Sequence, residues 1–343
     1  MKFTLIICTY MRPEALSTLL DSVSLQSSYP DEILIIDGST DDHTKKMLAS
    51  RDFRNLQYFK VGSENRGLTK QRNFGIARTA DSSEIICFLD DDTILEPDYF
   101  RNLISTYSDY PEALGVGGYI TNEVSWEKIS ADYLSSATDF IFDGWKRKDG
   151  SRYVLRKKLG LDADTPPGVP PEFGHGRSTG FLPPSGKTYE TKQFMGGVSS
   201  FRKSVFQNFQ FSTYFEGYGL YEDADFTLRL SKTGKLFVNT SARLGHYHHE
   251  SGRPNRYAYG KMVVRNGWYV WRIKDRHPSA KAILKWHCIT LLLAFVRFGN
   301  VFSTSKRMEA FTEAAGRFVG WCSLFFDQPK LRGEADNKSI FVK

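Results

Sequence analysis

Short, wholly apolar runs alternate with helix-period segments through the first third of the chain. Phe3 to Cys8 is apolar at every position but Thr4, as suits a strand covered on both faces. Pro13 then suits the first turn of a helix, and Leu16, Leu19, Leu20 and Val23 recur at helical spacing. Ile33 to Ile36 reads as a second strand, ending at Asp37 and a turn of Gly, Ser, Thr and Asp. Leu56 to Phe59 is a weaker third strand, Gly67 to Ala80 a helix, and Glu84 to Leu89 the strongest strand, stopping at Asp90. This alternation predicts the α/β class, with a doubly wound, mostly parallel sheet and flanking helices.

Beyond Leu114 to Tyr119 the alternation fails. Residues 122–190 are rich in Pro, Gly, aromatics and cations, too long a stretch for an ordinary connection, and read as an insertion or a mobile lid. Regular pattern resumes over Phe194 to Phe206 and, at helical period, over Tyr221 to Ser231. The expected organisation is a main domain over 1–250 and a C-terminal helical appendage over 251–343.

Composition sharpens the picture in three places. At 343 residues and 41% hydrophobic, the chain can bury a full core. The net charge of +7 is uneven: from Arg253 onward there are 17 Lys/Arg against 6 Asp/Glu, a basic tail on a near-neutral body. Such a tail suits an anionic lipid surface, and nucleic acid is not the expected partner. Cys8, Cys87, Cys288 and Cys322 form no CxxC pair, so buried thiols are expected rather than a zinc site or disulfides. Lys2 to Cys8 already reads as a strand, leaving no room for a leader, so the expected place is the cytoplasm.

Ligands of open parallel sheets bind beyond the carboxyl ends of the strands. Thr9, Asp37 and the run Asp90, Asp91, Asp92 all fall there. Three adjacent acids repel one another and lose solvation, a penalty that a divalent cation removes. Oxygen ligands favour Mg²⁺ or Mn²⁺, either of which can bridge a diphosphate. The plainer alternative is that Asp92 caps a helix beginning near Pro97.

The succession IICTYMR, ILIIDGSTDD, ENRGLTKQRNFGI and ICFLDDDTILEPDYF resembles glycosyltransferase family 2, whose nucleotide-binding half has the fold called GT-A. The resemblance implies a nucleotide-sugar-binding half over 1–120, an acceptor-shaping insertion over 122–190 and an acceptor and base half over 191–250. It implies that Thr9, Arg12, Asp37, Arg72, Asp90 and Asp91 serve the nucleotide sugar, with Asp37 accepting from the base and Arg72 near the phosphates or sugar. Asp90 and Asp92 would be the DxD carboxylates. FMGGVSSFRKSVF resembles the acceptor segment, placing Gly196 and Gly197 there, and GLYEDADFTLRL resembles the Glu-Asp motif, making Asp223 the catalytic base and Glu222 an acceptor-binding acid. Asn65 and Asn73 read equally as braces of turns. In GHYHHE, His246 and then His248 are the candidates to face the metal, since alternation puts both on one side, with His249 facing away.

The activity so implied is inverting transfer from a UDP-, dTDP- or GDP-sugar to a glycan or lipid-linked hydroxyl, in cell-surface polysaccharide synthesis. A sugar-phosphate nucleotidyltransferase should show a glycine-rich loop after its first strand, and CTYMRPEAL has no glycine. The lack of G-x-G-x-x-G disfavours a dinucleotide oxidoreductase likewise. A noncatalytic sugar-nucleotide scaffold is the remaining alternative. Near the C-terminus, Trp286 to Val296 spans eleven residues, short of the roughly twenty a bilayer-crossing helix needs. With Trp268, Trp271, Trp286 and flanking cations it reads either as a helix lying in the cytoplasmic face of the inner membrane or as one packed on the protein or a homodimer partner.

Overall fold

A run that is apolar on both sides belongs inside a sheet. In the computed structural model, which describes residues 1–130, 132–248 and 255–331, β1 (Phe3–Thr9) lies between two parallel neighbours. After it come α1 (Pro13–Ser24), β2 (Glu32–Asp37), α2 (His43–Ala49), β3 (Leu56–Lys60), α3 (Leu68–Ile76) and β4 (Ile85–Asp90). These four strands run parallel in the order β4-β1-β2-β3, so Thr9, Asp37 and Asp90 end at one edge. Leu16, Leu19, Leu20 and Val23 of α1 are buried, as their spacing predicts. The pattern does not reveal α2, because its seven residues bury only Thr44 and Leu48 and so carry no apolar stripe.

The chain continues through β5 (Thr93–Leu95), α4 (Tyr99–Asp109), β6 (Ala113–Ile120), β7 (Glu127–Lys128), β8 (Asp139–Phe142), β9 (Trp145–Lys148), α5 (Ser151–Lys158), β10 (Thr188–Thr191), β11 (Val198–Arg202), α6 (Glu222–Leu230) and β12 (Lys235–His246). It ends in three helices, α7 (Arg256–Lys274), α8 (Ala280–Gly299) and α9 (Arg307–Ser323). The main sheet has the order β10-β12-β6-β11-β4-β1-β2-β3, with β5 against β12. Strand β11 enters antiparallel between β4 and β6, so the sheet is parallel on the β1 side and mixed beyond β4.

Among the described residues the chain forms two compact units, one of 1–125 with 184–248 and one of 126–183 with 255–331. The stretch read as an insertion of the main domain therefore groups with the C-terminal helices. Its cations are partly structural: Arg177, buried, bonds Asp149 at 2.9 and 3.1 Å and Asp162 at 2.6 Å, with the rings of Phe140 and Tyr153 over its guanidinium. Paired in this way, a buried charge avoids the cost of isolation.

Three expectations for the C-terminal region change. The apolar stretch is longer than eleven residues: Ala280–Phe302 is 23 residues with an 18-residue window of mean hydropathy 1.5, long and apolar enough to cross a membrane by length and composition. Trp268, Trp271 and Trp286 are not at a surface but in the core of their unit, where the Trp271 and Trp286 rings stack at 5.3 Å. Of the four free cysteines, Cys288 and Cys322 are exposed rather than buried.

Close approach of α7 and α9 depends on two glycines. A Cβ at Gly260 would lie 2.1 Å from the Glu313 carbonyl oxygen, and one at Gly316 2.1 Å from that of Tyr257. Backbone cannot yield as a flexible side chain does, so Gly316→Ala should destabilise this unit by about 1–3 kcal/mol. A lower midpoint in urea or thermal unfolding, followed by circular dichroism, checks it. An unchanged midpoint would mean that the helices separate without cost.

Candidate functional site

Register alone brings the acids together. Cys8 pairs with Asp90 across β1 and β4, and Leu89 pairs with Val198 across β4 and β11, so the DDD run sits beside the glycines that precede β11. On its other side, His246 at the end of β12 pairs with Thr93 of β5. A three-residue strand too short to recognise from pattern thus sets Asp92 next to His246.

The three acids face differently. Asp91 turns inward: its carboxylate accepts from the Thr9 hydroxyl at 2.7 Å and from Arg12 Nη1 at 3.1 Å. Burial pushes its carboxyl up to about 6 against the pull of those two donors. Asp92 accepts from Arg12 at 3.4 Å and lies 3.0 Å from His246 Nε2. Asp90, with 38% of its side chain exposed, stands 3.6 Å from Arg72 Nη2. Thr9 and Arg12 therefore hold the acidic loop.

Gly196 and Gly197 make room for charge. A Cβ on Gly197 would lie 2.0 Å from Asp90 Oδ2, and one on Gly196 2.7 Å from both Arg72 Nη1 and Glu222 Oε1. The space a side chain would need there is taken by Asp90, Arg72 and Glu222. Arg72 is buried on α3, with the rings of Phe88 and Phe211 at 5.6 and 5.1 Å, and it is ion-paired with Glu222. Asn73 braces that floor, its side-chain amide exchanging bonds of 2.9 and 3.0 Å with the Phe211 backbone.

Glu222 and Asp223 open α6, where backbone N–H groups favour negative charge. They are adjacent in sequence but not in environment. Glu222 is buried, its Oε2 bonds no partner, and burial pushes its carboxyl up to about 8 while Arg72 pulls it down. Asp223 is half-buried, accepting from the Ala224 N–H at 2.7 Å and the Gly196 N–H at 3.2 Å. Burial raises its pKa from the usual carboxylate value, against those two bonds. The residue before this pair, Tyr221, has φ of 72°, a left-handed backbone that costs a non-glycine residue energy and is characteristic of functional turns.

Asp90, Asp92 and His246 offer two carboxylate oxygens and an imidazole nitrogen, all within 4.8 Å of one another. Oxygen and imidazole donors together fit a divalent ion, and the imidazole tilts the set from Mg²⁺ toward Mn²⁺. Burial lowers the His246 pKa, but the carboxylates of Asp92 and Glu123 outweigh it and raise it to about 10. His248 does not join the DxD pair. It bonds Glu123 at 3.1 Å and lies ring to ring with His246 at 4.1 Å, within a second cluster of Glu123, His246 and His248. His249 lies outside the described residues.

Asp37 is fully buried, accepting from the Ser39 N–H at 2.7 Å and the Tyr58 hydroxyl at 2.9 Å, and so braces the turn after β2. Asn65 meets only its neighbour Glu64, at 3.2 Å, among the bonds its side chain shows. Sequence reading missed Gln71, whose amide donates to the carbonyls of Thr9 at 3.1 Å and Ile36 at 2.7 Å, clamping two strand ends. It also missed Asn122 and Glu123. Asn122 exchanges two 2.9 Å bonds with the His246 backbone, and Glu123 Oε1 lies 3.6 Å from His246 Nδ1. Nothing in a loop of TNEVSW signals either role.

Comparison with known proteins agrees with the nucleotide-side motifs. Residues 4–164 match the family described as glycosyl transferase family 2, and residues 177–251 match the N-terminal domain of galactosyltransferase. The O-antigen chain rhamnosyltransferase RfbN of Salmonella typhimurium is 34% identical over 110 residues, 32% of this chain and 34% of that protein. The glucosyl-dolichyl phosphate glucuronosyltransferase of Haloferax volcanii is 30% identical over 125 residues, 35% of this chain and 38% of its own length. The chain thus spans little more than a third of either relative. Among solved structures, S. aureus TarS 1–349 in complex with UDP aligns with a TM-score of 0.47 and 15% identity over 89% of this chain and 73% of that one. The match over 4–164, which contains the strands bearing Thr9, Asp37 and Asp90 and the helix bearing Arg72, makes that segment similar to glycosyltransferase family 2.

Proposed function

We propose that this chain transfers a sugar from a nucleoside diphosphate to a hydroxyl of a glycan or lipid-linked acceptor, with inversion at the anomeric carbon. The observation that carries the reading is the setting of Asp223: a half-buried carboxylate, held by two backbone N–H groups, beside a buried Arg72–Glu222 pair and the Asp90 to Asp92 loop. The names of the two relatives, a rhamnosyltransferase of O-antigen chains and a glucuronosyltransferase acting on a dolichyl phosphate glycan, support a cell-surface polysaccharide or lipid-linked acceptor.

In this mechanism Asp223 accepts the proton of the attacking hydroxyl, which requires it ionised and within hydrogen-bond reach. The Gly196 and Ala224 N–H groups fix its orientation and stabilise its charged form. Glu222 keeps an unpartnered Oε2 that suits a bond to an acceptor hydroxyl, while its Oε1 anchors Arg72. Arg72 places a positive charge beside Asp90, where it can offset charge on the departing diphosphate. Asp90, Asp92 and His246 would hold a divalent ion, which supplies Lewis-acid stabilisation to that leaving group. Among the groups around Asp223, none is placed as an enzyme nucleophile, so a single displacement is the expected course.

Removing the base should be selective. Asp223→Asn keeps shape and bonding capacity but not basicity, and should lower the transfer rate about a hundredfold to ten-thousandfold. Nucleotide affinity, measured by titration calorimetry, should stay near that of the unaltered protein. Transfer at an undiminished rate would remove Asp223 from its role.

Metal affinity should depend on the second acid of the pair. Asp92→Ala should weaken Mn²⁺ binding, followed by the electron paramagnetic resonance of free Mn²⁺, by more than about tenfold, since even outer-shell partners of a metal ligand cost that much. An equal affinity in the variant would place the ion elsewhere.

The pH profile carries the environment of the base. Because burial raises the Asp223 pKa, kcat/KM should climb with pH through a limb above the ordinary carboxylate range and level off once Asp223 is ionised. A profile already flat at that ordinary value would contradict the assignment.

A further inference from the structure

α8 is apolar on its outward as well as its inward face. Inside, Trp286 stacks on Trp271, and Thr290 meets His175 Nε2 at 3.1 Å. Outside, Leu284, Cys288, Phe295, Phe298 and Phe302 are exposed, with half-buried Leu291 completing a row at helical spacing. α9 repeats the pattern with exposed Met308, Phe311, Val319 and Cys322, continuing to Phe326 just beyond its end. The two rows meet through the Phe298 and Phe311 rings at 6.3 Å, and the helices also through Phe295 and Phe318 at 5.1 Å. Exposure is substantial, with Phe302 at 78%, Met308 at 70% and Phe326 at 92%. A soluble helix pair normally turns its charged face outward, and a joined apolar face of this kind marks an interaction surface.

Charge selects the occupant. Residues 276–308 contain six cations, Arg276, Lys281, Lys285, Arg297, Lys306 and Arg307, and no acid. The nearest acids on α9 are already engaged: Glu309 with Arg256 at 2.8 Å, and Glu313 with Arg297 at 2.9 Å and Arg317 at 2.8 Å. Over 276–327 seven cations stand against three acids, and a second copy would set that net positive charge against itself, whereas an anionic lipid surface complements it.

We propose that the joined outer faces of α8 and α9 dock on an anionic lipid surface, lying along its headgroup boundary. By length α8 could cross a bilayer, but one side of it is committed to the core of its own unit, and only the outer row is left for lipid. The inference deepens the proposed function by bringing a lipid-linked acceptor to the enzyme, and for that benefit alone it rests on that reading. The docking itself stands on these helices and is measured without any sugar donor.

The test is co-sedimentation of the full chain with vesicles of phosphatidylcholine alone or mixed with phosphatidylglycerol, at low and high salt. Binding is expected to the mixed vesicles, weakened by salt because exposed charges are screened. Phe302→Ser combined with Met308→Ser should reduce it about tenfold or more, since burial of apolar area drives interfacial binding. Lys306→Gln combined with Arg307→Gln should reduce the preference for phosphatidylglycerol. Both pairs are exposed, and unchanged thermal unfolding shows that the fold is kept. Failure of the unaltered chain to bind mixed vesicles, equal binding to neutral ones, or indifference to both variant pairs would overturn the proposal. So would a dimer in sedimentation equilibrium, abolished by the serine pair and unaccompanied by lipid binding, which would assign the face to a second copy. None of these results touches Asp223, so docking and transfer can fail separately.

Discussion

A buried guanidinium organises the unit that carries the candidate site. Arg72 brings a full charge into an interior where an unpaired ion would be prohibitively costly, and its surroundings answer that cost from several directions. Glu222 pairs with it, Asp90 approaches it, and the rings of Phe88 and Phe211 present their faces to it. Those four contacts come from three places in the chain: the start of α6, strand β4, and the segment before α6 that Asn73 pins down. The charge therefore ties three stretches of chain into one geometry. Gly196 and Gly197 follow as a consequence, since side chains there would collide with the same groups.

The parallel half of the sheet was legible because its strands are buried on both sides and so read as continuous apolar runs. The ends of those runs located Thr9, Asp37 and the acidic loop. Legibility failed where structure is not written as periodicity. The β5 strand that sets Asp92 beside His246 is three residues long, and α2 buries too little to show a stripe. Side-chain partners escape the sequence for a different reason. Asp37 stands at the right strand end, yet the Tyr58 hydroxyl reaches it from the neighbouring strand and its carboxylate closes over a turn. A motif names the residue, whereas the partner that captures its side chain comes from an element the motif does not mention. The tryptophans of the C-terminal region show the same limit. Their abundance was visible, but the choice between core and surface depended on how the 126–183 stretch grouped with α7 to α9.

Five carboxylates share the site, and chemistry requires that they not behave alike. Asp91 is taken by Thr9 and Arg12, which fixes the loop. Asp90 and Asp92 then stand with His246 as a three-donor set, suited to a cation that would relieve their mutual repulsion. Glu222 is committed to Arg72 by one oxygen and keeps the other free. Only Asp223 combines partial exposure, two backbone N–H bonds and no side-chain cation bonded to it among the described contacts. A carboxylate neutralised by a tight ion pair is a poor proton acceptor, and one bound to a metal is poorer still. By that criterion Asp223, the base of the proposed mechanism, is separated from its four neighbours by what each of them holds, and Glu222 and Asp223, adjacent in sequence, would divide between them the tasks of fixing a cation and taking a proton.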